Sequence, residues 1–264
     1  MNNAFSKAFI YSGTKYFMMD FLMGLLPSVF SDIYMPTCGR FDWGQILRLH
    51  GVEQHIYASD INLWLMMAHL GIRDFTDEVI SLLEIHRQNH SSEYYIRIRD
   101  CFNRNMPLAE AAASLVYITV NSYKGVLRMS ADGRCTNVNA RTGFIFNASA
   151  IRKHASFLRN TTLVAEDFAP TALKAKAGDL VMFDPTYPGT QTHACRFSTA
   201  DHIRLARVCH ILDRKSVLFL VTVSDDPFVR HIYRDFCIEP YEAKRILGRA
   251  NNGGIADEVV ITNY

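Results

Sequence analysis

Apolar positions along this chain follow two rhythms, and their alternation lays out the fold. Short unbroken apolar runs predict strands at Ile33-Tyr34-Met35, His55–Ala58, Thr161–Val164, Leu180–Phe183 and Ser216–Val223. Helical spacing predicts helices after Lys15 as far as Leu26, stopped by Pro27, at Trp43–His50, from Leu63 through Ala68, and at Val79–Ile85. Further helices are predicted at Ala109–Val120, Ile151–Leu158, Ala200–Leu212 behind a Ser198 or Thr199 cap, and Pro227–Phe236. Residues 63–120 read as mostly helical, with Tyr94–Asn103 aromatic and basic. The tail, from Arg245–Ala250 through Asn251-Asn252-Gly253-Gly254 to Glu258–Thr262, reads as a final hairpin. Strand–helix alternation breaks between about residues 63 and 160. The pattern therefore predicts an α/β core, residues 1–62 and 161–264, interrupted by a mainly helical insert, residues 63–160.

Composition narrows this only a little. At 264 residues, 49% hydrophobic and 20% charged, the chain fits one large α/β domain or a core with a smaller insert. The first residues lack a signal-peptide pattern, and no apolar stretch is long enough for a membrane span. Cys38, Cys101, Cys135, Cys195, Cys209 and Cys237 are scattered without a C-x-x-C pair. That indicates neither a zinc site nor a disulfide framework, and a reducing, intracellular compartment is the simplest expectation.

Charge changes the picture more. The net charge is +2, yet residues 121–160 hold seven basic residues against one acid, Asp132. Such a segment suits a phosphate backbone, or is simply a solvated basic face. Within it, Tyr123–Met129 and Arg134 onward flank Asp132-Gly133, a hairpin-turn dipeptide. A basic hairpin can enter a DNA groove and present arginine to guanine.

Candidate chemistry gathers where predicted strands end, because α/β proteins bind ligands there. Leu180–Phe183 runs into Asp184-Pro185-Thr186-Tyr187: an acid, a rigid residue and a flat ring, suited to a planar polar ligand, or a simple Asp-Pro turn. Ser12-Gly13-Thr14-Lys15 precedes a helix and is a weak anion-loop signal. Asp60 ends the second strand, where an acid accepts from ribose hydroxyls or else caps the next helix.

In this order, the loop at Lys15, the turn Thr37-Cys38-Gly39-Arg40, Asp60, the helical insert with its basic hairpin, and D-P-x-Y at Asp184 resemble the Dam-like, D12-class DNA adenine-N6 methyltransferases. The ending Asp257–Tyr264 is similar too. The resemblance implies a Rossmann-like, S-adenosylmethionine-dependent methyltransferase core and a target-recognition insert. It implies Asp184, Pro185 and Tyr187 as catalytic residues. Tyr11, Lys15, Gly39, Asp60, Asp167, Phe168 and Asp184 would contact S-adenosylmethionine. Tyr123, Lys124, Arg128, Arg134 and Arg141 would contact double-stranded DNA. The implied activity is site-specific methylation of the N6 amine of a flipped-out adenine, in the cytoplasm of a bacterial or phage-infected cell, with no metal and no membrane. This chain departs from the family pattern in three places. Thr186 replaces a second proline, which is expected to loosen the turn without removing a reacting group. The turn at Gly39 has one glycine, followed by Arg40. Lys124 stands in place of an asparagine, and Val138-Asn139-Ala140-Arg141 in place of Val-Pro-Phe-Gly, so the implied target differs from GATC. Three readings stay open: an active DNA methyltransferase, a DNA-binding relative with impaired catalysis, and an enzyme acting on RNA.

Overall fold

The computed structural model describes residues 7–11, 14–102, 105–125, 127–130, 134–139, 141–188, 197–241 and 258–264. In chain order these form α1 (Met19–Gly24), β1 (Ile33–Met35), α2 (Asp42–Leu49), β2 (Ile56–Asp60), α3 (Leu63–Asp74), α4 (Thr76–Gln88), α5 (Ser92–Cys101), α6 (Leu108–Asn121) and α7 (Ala148–Phe157). Next come β3 (Thr161–Ala165), α8 (Phe168–Leu173), β4 (Leu180–Phe183), α9 (Thr199–Arg214), β5 (Leu218–Ser224), α10 (Pro227–Ile232), β6 (Cys237–Tyr241) and β7 (Glu258–Thr262). The seven strands make one sheet in the order β3-β2-β1-β4-β5-β7-β6. β3, β2, β1, β4 and β5 are parallel, and β7 runs antiparallel between β5 and β6. The order reverses between β1 and β4. In sheets of this kind, ligands bind at such a reversal, outside the carboxyl ends of the strands.

β4 shows why the sequence builds this sheet. Its Leu180 and Met182 join one core with Trp43, Leu47 and Leu22. Val181 and Phe183 join the opposite core with Leu205, Cys209 and Phe219. Alternate side chains of a strand point to opposite faces, so a central parallel strand covered on both sides must be apolar throughout. A third core unites α3, α4, α5 and α6 with Leu127, Cys135 and Phe144 of the basic segment. That core carries the hairpin region on the sheet, through α3, which also packs on β2 and β3.

The fold matches the predicted α/β architecture, with two local differences. β7 pairs with Cys237–Tyr241 in an antiparallel hairpin, while residues 245–250, its expected first arm, lie outside the described residues. Pro240 removes a ladder donor, which disguises β6 in the sequence, but an edge strand tolerates proline. Tyr123–Gly125 is a short 3₁₀ turn rather than extended chain. The hairpin itself survives as bridges Ser122–Asn139 and Met129–Cys135. Its Asp132-Gly133 tip lies outside the described residues, as do Ser12 and Gly13. No described helix is long and apolar enough to cross a membrane.

Candidate active site

The turn after β4 is held from four sides. The Asp184 amide donates to Thr37 Oγ1 at 2.8 Å, tying the loops after β4 and β1 across the strand-order reversal. Thr222 Oγ1, on β5, donates to Asp184 Oδ1 at 2.9 Å. Lys15 Nζ stands 3.0 Å from the same carboxylate oxygen and donates to the Tyr187 hydroxyl at 2.8 Å. The Lys15 ammonium also lies 4.9 Å from the centre of the Tyr187 ring. Behind Thr186, the buried His202 of α9 faces the turn's backbone, its ring packed on Phe197. This contact supports the turn where the second proline is absent.

Glu258, the first residue of β7, completes the cluster. Its Oε2 lies 3.9 Å from Lys15 Nζ, and the carboxyl meets the Tyr187 hydroxyl. Burial pushes the carboxyls of Asp184 and Glu258 above their ordinary range, and Lys15 only partly opposes this. Burial, with both acids nearby, pushes the Tyr187 phenol up as well. Lys15 is 3% exposed, so its charge is balanced by these two acids rather than by water.

The loop after β1 is pinned through its backbone. Cys38 N–H donates to Ser59 O at 2.9 Å, and Gly39 N–H to Asp60 Oδ2 at 3.0 Å. His69 Nε2 meets Gly39 O at 2.9 Å, and His69 Nδ1 meets His154 Nε2 at 3.0 Å. Gly39 O only accepts, so His69 carries its proton on Nε2, and His154 Nε2–H donates to His69 Nδ1. Gly39 has φ +50, a left-handed conformation that glycine adopts without strain. The Tyr11 ring is the nearest group to it, 3.8 Å from where a Cβ at this position would stand. Arg40 is buried and forms a bidentate pair with Asp42 at 2.7 and 2.6 Å. Asp60 also accepts from Asn62 N–H, and the cap of α3 is Asn62, which accepts from Leu65. Asp60 is therefore not the helix cap that the sequence left as its alternative role.

At the end of β3, Asp167 caps α8 and is held bidentately by Arg204 at 2.7 Å for each bond. This pairing lowers its carboxyl below the ordinary range. Phe168 is buried between Phe183 and Phe197, with the Arg204 guanidinium 4.1 Å from its ring centre. The structure thus brings Lys15, Asp184 and Tyr187 into one cluster, ties Tyr11, Gly39 and Asp60 into one loop system, and places Asp167 and Phe168 at the adjoining strand end.

With this geometry in hand, comparison with known families is decisive: the D12 class N6 adenine-specific DNA methyltransferase family matches residues 11–247. The chain belongs to that family. A type II methyltransferase, M1.LlaDCHI of Lactococcus lactis subsp. cremoris, is 27% identical over 96% of this chain and 94% of its own. The DNA adenine methylase of Serratia marcescens is 27% identical over 94% and 93%. Among solved structures, the rRNA methyltransferase aviRa from Streptomyces viridochromogenes aligns over 93% of this chain and 81% of its own, at 14% identity and a TM-score of 0.40.

In the basic segment of this D12-class chain, one buried side chain ties the two arms of the hairpin together. Asn137 Oδ1 accepts from Arg128 N–H at 2.7 Å, and its amide donates to Ser122 Oγ at 2.6 Å. Tyr123, Arg134 and Arg141 are exposed, Arg128 is half-buried, and the Lys124 side chain lies outside what is described. Arg141 also lines a groove with Lys7, Phe9, Phe146 and Asn147. Sequence reasoning missed Thr37, Thr222, His202, Glu258 and the pair His69–His154. Only Glu258 left a visible trace, as an acid at the head of an otherwise apolar closing strand.

Proposed function

We propose that this protein transfers the methyl group of S-adenosylmethionine to the N6 amine of an adenine flipped out of duplex DNA. One observation carries the reading: Asp184 and Tyr187 already hold an amine, the Lys15 ammonium, with the carboxylate on its nitrogen and the ring beside it. An adenine amine entering the same place would donate to Asp184 and to the Pro185 carbonyl, with its ring stacked on Tyr187. Extruding a base costs a few kcal/mol of stacking and pairing, and stacking on an aromatic ring returns about 1–3 kcal/mol. Two acceptors on the amine direct its lone pair away from the ring system, which turns a poor nucleophile towards the methyl donor. Asp184, with its raised carboxyl, is also placed to take the proton that the methylated nitrogen sheds.

The donor set fits a cationic cofactor, since the carboxylates of Asp60, Asp184 and Glu258 lie on one sheet edge with Lys15. Asp60 would take the ribose, Tyr11, Lys15 and Gly39 would face the methionine part, and Asp167 and Phe168 would flank the adenine. When bound, S-adenosylmethionine supplies an activated methyl on a sulfonium leaving group, so the protein contributes orientation and electrostatics. Tyr123, Lys124, Arg128, Arg134 and Arg141 would meet the DNA.

The test is to map methylated adenines in the DNA of an unmethylated host expressing the protein. The expected result is methylation at one short sequence, abolished by Asp184→Ala with DNA binding retained. Full methylation by Asp184→Ala would sink the assignment. The reading with impaired catalysis has one observation in its favour, the Arg204 pair that already engages Asp167. Calorimetry separates the two, because that reading requires DNA binding without measurable binding of S-adenosylmethionine.

A further inference from the structure

We propose that Glu258 is the second seat of the Lys15 ammonium, so that Lys15 moves from Asp184 to Glu258 when the target amine enters. This rests on reading Asp184-Pro185-Thr186-Tyr187 as an amine clamp. Lys15 Nζ occupies that clamp, 3.0 Å from Asp184 Oδ1 and 2.8 Å from the Tyr187 hydroxyl. Asp184 Oδ1 already accepts from Thr222 as well. An incoming amine therefore meets a resident cation at the carboxylate it needs.

Lys15 cannot simply leave for water, being 3% exposed and anchored ahead of the turn Tyr16–Met18, whose Met18 is buried in the core with Leu22. A buried ammonium needs another anion within reach. Glu258 supplies one. Its Oε2 is 3.9 Å from Lys15 Nζ, that oxygen has no hydrogen-bond partner among the described residues, and the residue is 7% exposed. Buried carboxylate oxygens without partners are rare and costly. Closing the gap to hydrogen-bond length needs a shift of about 1 Å. The exchange moves no proton and breaks no covalent bond. Lys15 trades one carboxylate for the other, Glu258 Oε2 gains a donor, and Asp184 is released to the neutral amine. Tyr187 touches both seats, so its ring stays in place throughout.

The test is a thermal unfolding cycle on the full chain without ligand, using Asp184→Asn, Glu258→Gln, the double variant, and the double variant with Lys15→Met. Two interchangeable seats mean that either single change leaves Lys15 paired, so each should shift the midpoint little. The double variant strands the ammonium, and its midpoint should fall by clearly more than the two single shifts together. Lys15→Met should recover most of that loss, and should restore folding if the double variant fails to fold. Additive shifts, or no recovery with Lys15→Met, overturn the proposal. In methyl transfer to unmethylated DNA, Glu258→Gln should lower kcat by about tenfold or more, with KM for DNA unchanged. An unchanged kcat also overturns it. A wild-type protein that transfers no methyl refutes the methyltransferase reading instead, and the unfolding cycle still decides the second seat.

Discussion

Acid should loosen this protein through its buried histidines, and His69 allows the effect to be isolated. Burial holds His69 at about 4, below its ordinary 6.5. His86 is held at about 4 in the same way, by burial, with its Nδ1 against the Tyr94 hydroxyl. His154 is pushed down too, chiefly by burial and then by His69. A depressed histidine means that the unfolded chain takes up protons first as the pH falls. The stability is fully present above pH 6.5 and is lost as the pH drops towards 4. For a shift from 6.5 to 4, lowering the pH from 7.5 to 5.0 costs about 2 kcal/mol per histidine. His69 and His86 together give about 4 kcal/mol, a large part of the roughly 5–15 kcal/mol that holds a domain folded. The raised carboxyls of Asp60, Asp184 and Glu258 act in the opposite sense, because the folded state binds their protons more readily. A comparison between variants removes that background. His69→Gln keeps a donor for Gly39 O and an acceptor for His154 Nε2–H, but it does not titrate. Urea unfolding at pH 7.5 and 5.0 should show the variant losing about 2 kcal/mol less than the wild type on acidification. An equal loss in both proteins would refute the role assigned to His69.

The remaining expectations concern charge and packing. Arg40→Ala leaves the buried Asp42 without its bidentate partner and should cost about 3–5 kcal/mol, with Arg40→Ala/Asp42→Ala costing less than the single change; urea unfolding of both variants decides it. Arg134→Ala and Arg141→Ala, both at exposed positions, should each weaken DNA binding and reduce the slope of log affinity against log salt by about 0.9 if each arginine meets a phosphate. An unchanged slope removes that arginine from the interface. Gly71→Ala would set a methyl 2.2 Å from the Leu108 carbonyl oxygen and 2.7 Å from Ala112 Cβ, forcing α3 and α6 apart. Overpacking of this kind should lower stability by about 1–3 kcal/mol, as measured by thermal or urea unfolding.

Much of the core was legible because each strand ends in chemistry. Leu180–Phe183 reads as a short buried strand, which put Asp184-Pro185-Thr186-Tyr187 at a carboxyl end, as a ligand site or a simple Asp-Pro turn. The same logic located Asp60, and helical spacing located α2, α6, α7 and α9, the last with Ser198 in a full capping box. The partners of these residues were not legible, because they come from distant parts of the chain. Asp184 meets Lys15, Thr37 and Thr222, and Tyr187 meets Glu258; no local spacing encodes such pairs. Histidines 69 and 154 lie on two helices that read as ordinary core, and nothing in either sequence neighbourhood announces that one ring holds a loop carbonyl. β6 was missed for a different reason: Pro240 lowers its strand signal, and only its place at the sheet edge makes it tolerable.

The loop at Gly39 shows that a count of glycines alone does not describe how such a turn is held. Glycine is needed for two separate reasons, a left-handed backbone and close approach of another group. At Gly39 the first applies, with φ +50, while an added Cβ would meet nothing among the described residues nearer than the Tyr11 ring at 3.8 Å, an ordinary contact. Position 40 lies outside this requirement, since no positive φ is found there among the described residues, and a side chain is sterically allowed. The cost of arginine at that position is electrostatic, and Asp42, in the first turn of α2, answers it with two short charge-assisted bonds. The backbone of Gly39 is meanwhile fixed at both ends, by Asp60 on its N–H and His69 on its carbonyl. Glycines in such a loop leave the chain free to fit a ligand, whereas here side chains from β2 and α3 hold it in one shape. The departure at Arg40 therefore changes how the turn is held in place, with Asp60 fixing it from the end of β2.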